Sequence, residues 1–256
     1  MQHGLISVPA FADGRPVYHF FGTRRPPTRL TPWATSKQRA KDLRVVSVKQ
    51  VHGTDSLVID RPVEPGANFS GTWDALVTNQ AAVLLTVRTA DCVPVLLYDQ
   101  SRRVVAAVHA GWRGAVAGIV SKTLAAMAAE FGTAPESVRL AIGPSAGDCC
   151  YEVDGAVLGP LKHRYPYASL VIRETGRGRA ILNLGGLVRR QAEAAGVPRE
   201  KIWSVNVCTI CHPRLFYSYR RDGAVIGTMI SGIMLQPDRH GSAPRRSHER
   251  AESRPH

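Results

Sequence analysis

The sequence lacks the features that mark membrane-spanning or exported proteins. Its 256 residues contain no apolar run near the ~20 residues that a transmembrane helix needs. The first residues, Met-Gln-His-Gly-Leu-Ile-Ser-Val-Pro, lack the charged segment followed by an apolar segment that is typical of a signal peptide. We therefore expect a cytoplasmic protein with no membrane partner.

Acidic residues are scarce relative to basic ones. The chain has 33 lysines and arginines against 20 aspartates and glutamates, a formal net charge of +13. Clustered basic residues would favour a nucleic-acid partner, because they displace counterions from phosphates. Here the excess is spread out, and much of it falls in a Pro-rich stretch around Arg24 and in a terminal segment, residues 239–254. No basic strand with interleaved aromatic residues accompanies it, so we expect no nucleic-acid partner.

Cysteine is also sparse, and the number of cysteines is odd. The five lack the spacing of a disulfide framework: Cys92, Cys149, Cys150, Cys208 and Cys211. In a reducing compartment, cysteines pack in the core, bind metals or act as nucleophiles.

The rest of the sequence has the pattern of a mixed α/β protein. Short apolar and β-branched runs predict strands over residues 44–49, 56–59, 75–78, 83–88, 94–98, 104–109, 138–142, 170–173, 202–206 and 224–234. Helical spacing of apolar residues predicts helices over 115–131 and 187–195, and residues 22–43 are predicted as loop with a short helix. Because no repeat or linker is visible, residues 1–235 are predicted to form one α/β domain, followed by a disordered basic tail over residues 236–256.

Three short motifs each place a metal-binding side chain at a predicted strand end. They are Gln50-Val51-His52-Gly53, Thr89-Ala90-Asp91-Cys92 and His109-Ala110-Gly111-Trp112-Arg113-Gly114. Strand ends are where open α/β sheets usually build their sites. Two imidazoles and one thiolate are a good zinc set and leave a fourth position for water or substrate. We therefore predict a zinc site at His52, Cys92 and His109, although such a set can also hold copper.

Other interpretations use the same residues. Asp91, next to the thiol, is predicted to orient one of the ligands. A metal-free enzyme could instead use Cys92 as nucleophile and His109 as base. Both histidines and the cysteine could also be ordinary packing residues of the core.

Several arginines are candidates for binding an anion. Arg113 lies where a predicted strand enters a helix, and the N–H groups and dipole of a helix start attract anions. Arg24, Arg220 and Arg221 are further candidates for a phosphate or an anionic substrate.

The remaining cysteines fit weaker patterns. Cys208-Thr209-Ile210-Cys211-His212 matches the haem-attachment pattern C-x-x-C-H, and a C-x-x-C pair can be redox-active. Haem attachment requires export, and strand-like rather than helical residues follow, so neither interpretation is favoured. The vicinal pair Cys149-Cys150 is interpreted as packing residues.

Seven motifs follow one another in order along the chain. The first four are Val48-Lys49-Gln50-Val51-His52-Gly53, Trp73-Asp74-Ala75-Leu76-Val77-Thr78, Thr89-Ala90-Asp91-Cys92-Val93-Pro94 and Ala107-Val108-His109-Ala110-Gly111-Trp112-Arg113-Gly114. The others are Ala141-Ile142-Gly143-Pro144-Ser145, the run Cys149-Cys150-Tyr151-Glu152-Val153, and Cys208-Thr209 with Phe216-Tyr217-Ser218-Tyr219-Arg220-Arg221-Asp222-Gly223. In this order the motifs resemble one family, the bacterial purine nucleoside phosphorylases with a laccase-type domain, long known as polyphenol oxidases. Two departures stand out: Arg25-Pro26-Pro27 follows Phe21-Gly22-Thr23-Arg24 where the family usually has Gly-Gly, and Thr228 follows Gly227 where an arginine is common.

The resemblance implies a single-domain layered α/β/β/α sandwich with mixed sheets and a zinc site at His52, Cys92 and His109. It also implies phosphorolysis of adenosine, inosine and 5′-methylthioadenosine, with some adenosine deamination, so the expected partners are a purine nucleoside and phosphate. Three alternatives remain: a copper polyphenol oxidase, a metal-free Cys–His hydrolase and a non-enzymatic basic binding module. A multicopper laccase is excluded because its three-copper cluster needs many paired histidines, whereas the chain has nine in all and no His-x-His pair.

Overall fold

The computed structural model describes residues 4–11, 17–25 and 41–237. The predicted helix within residues 22–43 and the predicted basic tail fall largely outside these ranges. The strands, in chain order, are β1 (Leu5–Ile6), β2 (Val17–Gly22), β3 (Arg44–Val46), β4 (Ser56–Ile59), β5 (Ala75–Thr78), β6 (Val83–Thr89), β7 (Val93–Asp99), β8 (Val104–Ala110), β9 (Val138–Ile142), β10 (Glu152–Val153), β11 (Ile172–Gly176), β12 (Arg179–Leu182), β13 (Ile202–Ser204) and β14 (Met229–Leu235). The helices are α1 (Trp112–Val116), α2 (Ile119–Phe131), α3 (Gly155–Arg164), α4 (Leu184–Ala194) and α5 (Tyr219–Asp222).

The strands form three sheets. A six-stranded sheet has the order β13-β9-β7-β8-β5-β4, and a five-stranded sheet has the order β1-β2-β14-β6-β3. Both are mixed, because β13–β9, β4–β5 and β3–β6 pair in parallel while the remaining neighbours pair antiparallel. A small antiparallel sheet, β10-β12-β11, lies beside them.

The six-stranded sheet is covered on both faces. One face packs on helices α1, α2, α3 and α4, and the other packs on the five-stranded sheet through a second apolar cluster. Every side chain of β7 and β8 is therefore buried, which explains why these strands are continuous apolar runs rather than alternating ones. The described layers are thus helix, sheet and sheet, which confirms the predicted α/β class with mixed sheets.

Some predicted elements differ in extent. The helix predicted over 115–131 is two helices, because Gly118 adopts a left-handed backbone conformation (φ 85°) that ends one and begins the other. The strand predicted over 224–234 begins only at Met229, and residues 224–226 are exposed loop. The helix α3 was not predicted, because its Pro160 is an unusual residue for a helix interior. None of the helices in the described residues combines the length and the apolar character needed to cross a bilayer.

Candidate metal centre and active site

Three separate segments bring His52, Cys92 and His109 together. Cys92 immediately precedes β7, His109 is the penultimate residue of β8, and these strands are hydrogen-bonded neighbours with Pro94 opposite His109. His52 comes from the loop between β3 and β4, and its ring centroid lies 4.8 Å from that of His109. One potential ligand atom from each of the three lies within 4.8 Å of the others. The predicted trio therefore converges on a single point.

Asp74 holds both histidines of this trio in place. Its Oδ1 lies 2.6 Å from Nδ1 of His109, so the second ring nitrogen of His109 is left for another partner. The same carboxylate accepts hydrogen bonds from the backbone N–H groups of Val51, His52 and Gly53, at 2.7 to 3.1 Å. His52 adopts a positive φ of 62°, a backbone conformation uncommon for a residue other than glycine. One buried carboxylate thus fixes the ring of His109 and the turn that carries His52.

Hydrogen bonding sets the protonation of the trio. Burial by itself would raise the pKa of Cys92, but hydrogen bonds with His109 and His52 outweigh it and lower the pKa to about 7. Burial would likewise lower the pKa of His109, but its bonds to Asp74 and Cys92 raise the pKa to about 9. At neutral pH the metal-free site therefore holds His109 as an imidazolium and Cys92 partly as a thiolate. Binding of a cation would use the thiolate and release the imidazolium proton.

Gly111 allows the three segments to approach closely. A Cβ atom added at this position would overlap the ring of His52 and would lie 3.1 Å from Sγ of Cys92. The backbone of Gly111 is extended (φ −68°, ψ 164°), so space rather than backbone conformation requires glycine here.

This packing predicts the effect of Gly111→Ala. With zinc as the probe ion, we expect the affinity to fall roughly 10- to 100-fold, because relieving an overlap of this kind costs about 1–3 kcal/mol and displaces His52. Competition with a chelator of known affinity measures the change. Gly155→Ala is the matched control, since a Cβ at the start of α3 meets nothing within 4 Å. Wild-type zinc affinity in Gly111→Ala would show that His52 does not bind the metal.

The prediction for Asp91 is wrong. Its carboxylate does not orient a ligand of the trio but accepts hydrogen bonds from the hydroxyls of Thr209 and Ser218 and from the backbone N–H of Arg220. The carboxylate that orients His109 is Asp74. Asp74 lies in one of the sequence motifs, but it was not predicted to be a site residue. Asp91 instead fixes the loop that brings Arg220 to the site.

A cavity of about 510 Å³ opens beside the trio. His52, Cys92 and His109 line it, together with three arginines: Arg88, Arg113 and Arg220. Aromatic and apolar side chains form other parts of the wall, including Trp112, Tyr151, Leu184, Tyr219 and Val225. This size is within the range of small-molecule sites, and a mixture of apolar walls with a few charged groups is typical of them.

Two of the four predicted anion-binding arginines line the cavity, and two do not. The Arg113 guanidinium lies 4.4 Å from the Trp112 ring, and that of Arg220 lies 4.9 Å from the Tyr151 ring. Arg24 donates to the carbonyl of Pro213 and stacks on Tyr217. Arg221 is engaged by Asp222 and by the carbonyls of Thr209, Ile210 and Phe216. Both guanidinium groups thus contact the loop over residues 209–217 and lie outside the lining of this cavity, and their role as anion ligands stays a prediction.

Arg88, which is held by Gln50, was not predicted from the sequence. Arg88 is the one exposed side chain in the otherwise buried strand β6. The Gln50 amide accepts from the Arg88 N–H and donates to the Arg88 carbonyl, both at 2.8 Å. A charged residue near the end of an apolar strand was the available signal. The role of Arg88 became evident only from the fold, which brings the end of β6 beside the motif that contains His52.

The donor set fits a metal ion that accepts nitrogen and sulfur ligands. Two imidazoles and a thiolate converge, a buried carboxylate orients one imidazole, and the cavity leaves room for a further ligand.

Comparisons with known proteins agree with these observations. The profile of the family described as multi-copper polyphenol oxidoreductase laccase matches residues 33–236. A purine nucleoside phosphorylase of Bacteroides thetaiotaomicron is 41% identical over 163 residues, which are 63% of this chain and 60% of that protein. Adenosine deaminase RL5, from an unknown prokaryotic organism, is 34% identical over 196 residues, covering 74% of each chain.

Purine nucleoside phosphorylase YlmD of Geobacillus stearothermophilus is similar in both sequence and structure. It is 38% identical over 196 residues, which are 74% of this chain and 72% of that protein. Its crystal structure matches with a TM-score of 0.80 at 29% identity, covering 93% of this chain and 98% of that one. The chain therefore belongs to the laccase-type family that its motifs resemble, some of whose members are named purine nucleoside phosphorylases.

Proposed function

We propose that this protein is a zinc-dependent purine nucleoside phosphorylase. It cleaves adenosine and inosine with phosphate to the free base and ribose 1-phosphate, and it also acts on 5′-methylthioadenosine and deaminates adenosine. The observation that carries the proposal is that one cavity contains the His52, Cys92 and His109 trio, three arginines and an apolar wall. The names of the relatives support the same chemistry.

The arginines would bind the phosphate. Arg88, Arg113 and Arg220 bring three positive charges to the cavity, while the carboxylate of Asp91 in its wall is already engaged by three donors. Guanidinium groups match phosphate oxygens in charge and in geometry. Phosphate held there would attack the anomeric carbon of the nucleoside, and the arginines would also stabilise charge as the bond to the base breaks.

Aromatic side chains beside these arginines suit the nucleoside. Trp112, Tyr151 and Tyr219 offer aromatic surface for a purine, and burial raises the pKa of Tyr151 to about 12. The phenol of Tyr151 therefore stays protonated and can donate a hydrogen bond to a substrate oxygen or nitrogen. Thr228, which replaces the arginine common in the family, also lines this cavity, so the departure seen in the sequence falls at the substrate site.

His52, Cys92 and His109 would hold the zinc. When bound, the metal supplies a Lewis acid that polarises the substrate atom or water occupying its open position. Asp74 keeps the His109 ring in the tautomer that leaves its second nitrogen for the metal.

A metal-free hydrolase is the second candidate, and one observation favours it. Asp74, His109 and Cys92 are connected as an acid, a base and a nucleophile, and their pKa shifts favour a thiolate–imidazolium pair. Such an enzyme would not need His52, yet His52 is held against the same thiol. A copper oxidase is not favoured, because the trio offers one metal site and the sequence lacks paired histidines.

The phosphate dependence and the products of nucleoside cleavage distinguish the phosphorylase from the hydrolase. With adenosine or inosine as substrate, we expect base release to require phosphate and to yield ribose 1-phosphate, identified by mass. A phosphate titration on the wild type measures this dependence, and arsenate should substitute for phosphate as a chemically similar oxyanion. Equal base release without phosphate, by protein that has been stripped of metal, would identify the hydrolase instead.

Arg113→Ala tests the assignment of the phosphate-binding wall. We expect the KM for phosphate to rise about 10- to 100-fold, the value of a hydrogen bond to a charged group, while zinc content stays at the wild-type level. Arg173→Ala is the control, because Arg173 is an exposed arginine on β11 that does not line the cavity. An unchanged KM would exclude Arg113 and leave Arg88 and Arg220 as the phosphate ligands.

A further inference from the structure

Four cysteines form a second cluster outside the site described above. Sγ of Cys211 lies 2.9 Å from that of Cys150 and 3.4 Å from that of Cys149, and the two vicinal sulfurs lie 3.4 Å apart. With Cys208 included, all four sulfurs lie within 4.8 Å of one another. Cys149 and Cys211 are exposed, so the interpretation of Cys149-Cys150 as packing residues is wrong. Apolar packing does not explain why four thiols turn toward one point at the surface.

The sulfur of Cys208 lies where backbone N–H groups converge. The N–H of Gly147 donates to it at 3.3 Å, and the N–H groups of Ile210 and Cys211 also bond to it. Donors of this kind stabilise a sulfur that carries negative charge. The two sulfurs of this C-x-x-C segment, those of Cys208 and Cys211, accordingly lie within 4.8 Å of each other.

We propose that Cys149, Cys150, Cys208 and Cys211 bind a structural zinc ion. Four thiolates at ~2.3 Å from one zinc would stand about 3.8 Å apart, so small adjustments of the present sulfur positions would admit the ion. Binding displaces the protons of the thiols to solvent and involves no oxidation or reduction. Because protein sulfurs fill all four positions, this site offers none to a substrate, unlike the trio in the cavity.

The position of the cluster assigns it a role. Cys149 and Cys150 lie in the loop after β9, and Cys208 and Cys211 lie in the loop after β13. These loops also meet at the bridge between Ser145 and Cys208. The ion would therefore join two segments about sixty residues apart in the chain.

Both joined loops lead directly into the cavity. Tyr151 follows Cys150, and the Arg220 side chain stacks on the Tyr151 ring and bonds to the carbonyl of Glu152. Thr209, the neighbour of Cys208, donates its hydroxyl to Asp91. The ion would fix the wall that carries Tyr151 and Arg220 without contacting the substrate.

Metal content and coordination in Cys92→Ala test this proposal directly. That variant removes the only cysteine of the trio, so any zinc it retains belongs to the second cluster. We expect about one equivalent by elemental analysis, against about two in the wild type. X-ray absorption at the zinc edge should show only sulfur neighbours, at ~2.3 Å. No zinc, or zinc with nitrogen or oxygen ligands, would overturn the proposal.

Variants of the cluster provide the converse test. Cys211→Ser should lose one equivalent, and Cys211→His should retain it, because imidazole is itself a zinc ligand. Loss of this zinc in both variants would contradict the proposal. Full retention of zinc in Cys211→Ser would contradict it as well.

Thiol chemistry on the wild type separates a metal site from a disulfide. After denaturation with a chelator and without reductant, we expect all five cysteines to react with an alkylating reagent. A Cys150–Cys211 disulfide in the peptide map would overturn the proposal, because two thiols would then be lost as ligands. Iron in place of zinc would also overturn it.

Discussion

Cys92→Ala is expected to lose one equivalent of zinc and essentially all turnover of purine nucleosides. Cys92 supplies the only thiolate of the trio, and without it two neutral imidazoles must hold a dication. We expect turnover to fall at least about a hundredfold, the effect of removing a single strong electrostatic contact from a catalytic site. Elemental analysis and nucleoside turnover, measured on the same preparation, give both quantities.

Metal-stripped wild type is the control for this variant. It should match Cys92→Ala in turnover and recover activity when zinc is added back. Its melting temperature should be lower than that of Cys92→Ala, since the variant keeps the zinc of the four-cysteine cluster and zinc stabilises the folded state that binds it. Full activity in the stripped wild type, combined with none in Cys92→Ala, would mean that the thiol acts as a nucleophile. The Asp74, His109 and Cys92 arrangement would then describe the enzyme.

Asp74→Asn is expected to lower zinc affinity about 10- to 100-fold, the usual effect of removing a group that orients a metal ligand. The carboxylate accepts from Nδ1 of His109 and from three backbone N–H groups of the turn that carries His52. An amide presents one oxygen and one NH2 group, so at least one set of donors then faces another donor. Zinc affinity is measured by competition with a chelator.

The pKa of Asp74 predicts how the stability of the folded protein depends on pH. Burial would raise the pKa of Asp74, but the hydrogen bond with His109 and those from Gly53 and Val51 outweigh it, and the pKa is lowered. Because the folded-state pKa is depressed, Asp74 stabilises the wild type above the unfolded-state pKa, and this stabilisation is lost as pH falls through the folded-state pKa. As pH falls through the acidic range, the melting temperature of Asp74→Asn should therefore decrease less than that of the wild type.

Asp91→Asn is the matched comparison, because it alters a neighbouring buried carboxylate with a different set of donors. Its partners are Thr209, Ser218 and Arg220. We expect zinc affinity to stay at the wild-type level and the KM for phosphate to rise, since Arg220 loses its anchor. If Asp91→Asn lost zinc and Asp74→Asn did not, the roles assigned to the two carboxylates would be reversed.

Local sequence determined the strands that build the centre of the molecule. Continuous β-branched runs predicted β5, β7, β8 and β9 with ends within a residue or two, because buried strands must be apolar on both faces. The prediction of one long helix over 115–131 was wrong, since its apolar spacing continues across Gly118 and only the backbone at that residue shows the break. The short strands β10 and β12 were missed, because two to four residues carry too little periodicity to identify.

The metal-binding side chains could also be identified from the sequence. Histidine, cysteine and histidine at three predicted strand ends sufficed to propose one metal site, because few side chains bind zinc and strand ends are where such sites form. The seven motifs identified the family, and the comparisons confirm it.

Only the tertiary structure decided which charged groups serve that site. Asp74 rather than Asp91 orients His109 because β5 is the neighbour of β8, a pairing between residues 35 positions apart. Arg88 reaches the cavity while Arg24 and Arg221 support a loop, although all are arginines in basic surroundings. The four clustered cysteines come from two loops 61 residues apart, between Cys150 and Cys211. The sequence specifies which groups can react, but contacts between distant segments follow from sheet order, which short-range patterns do not contain.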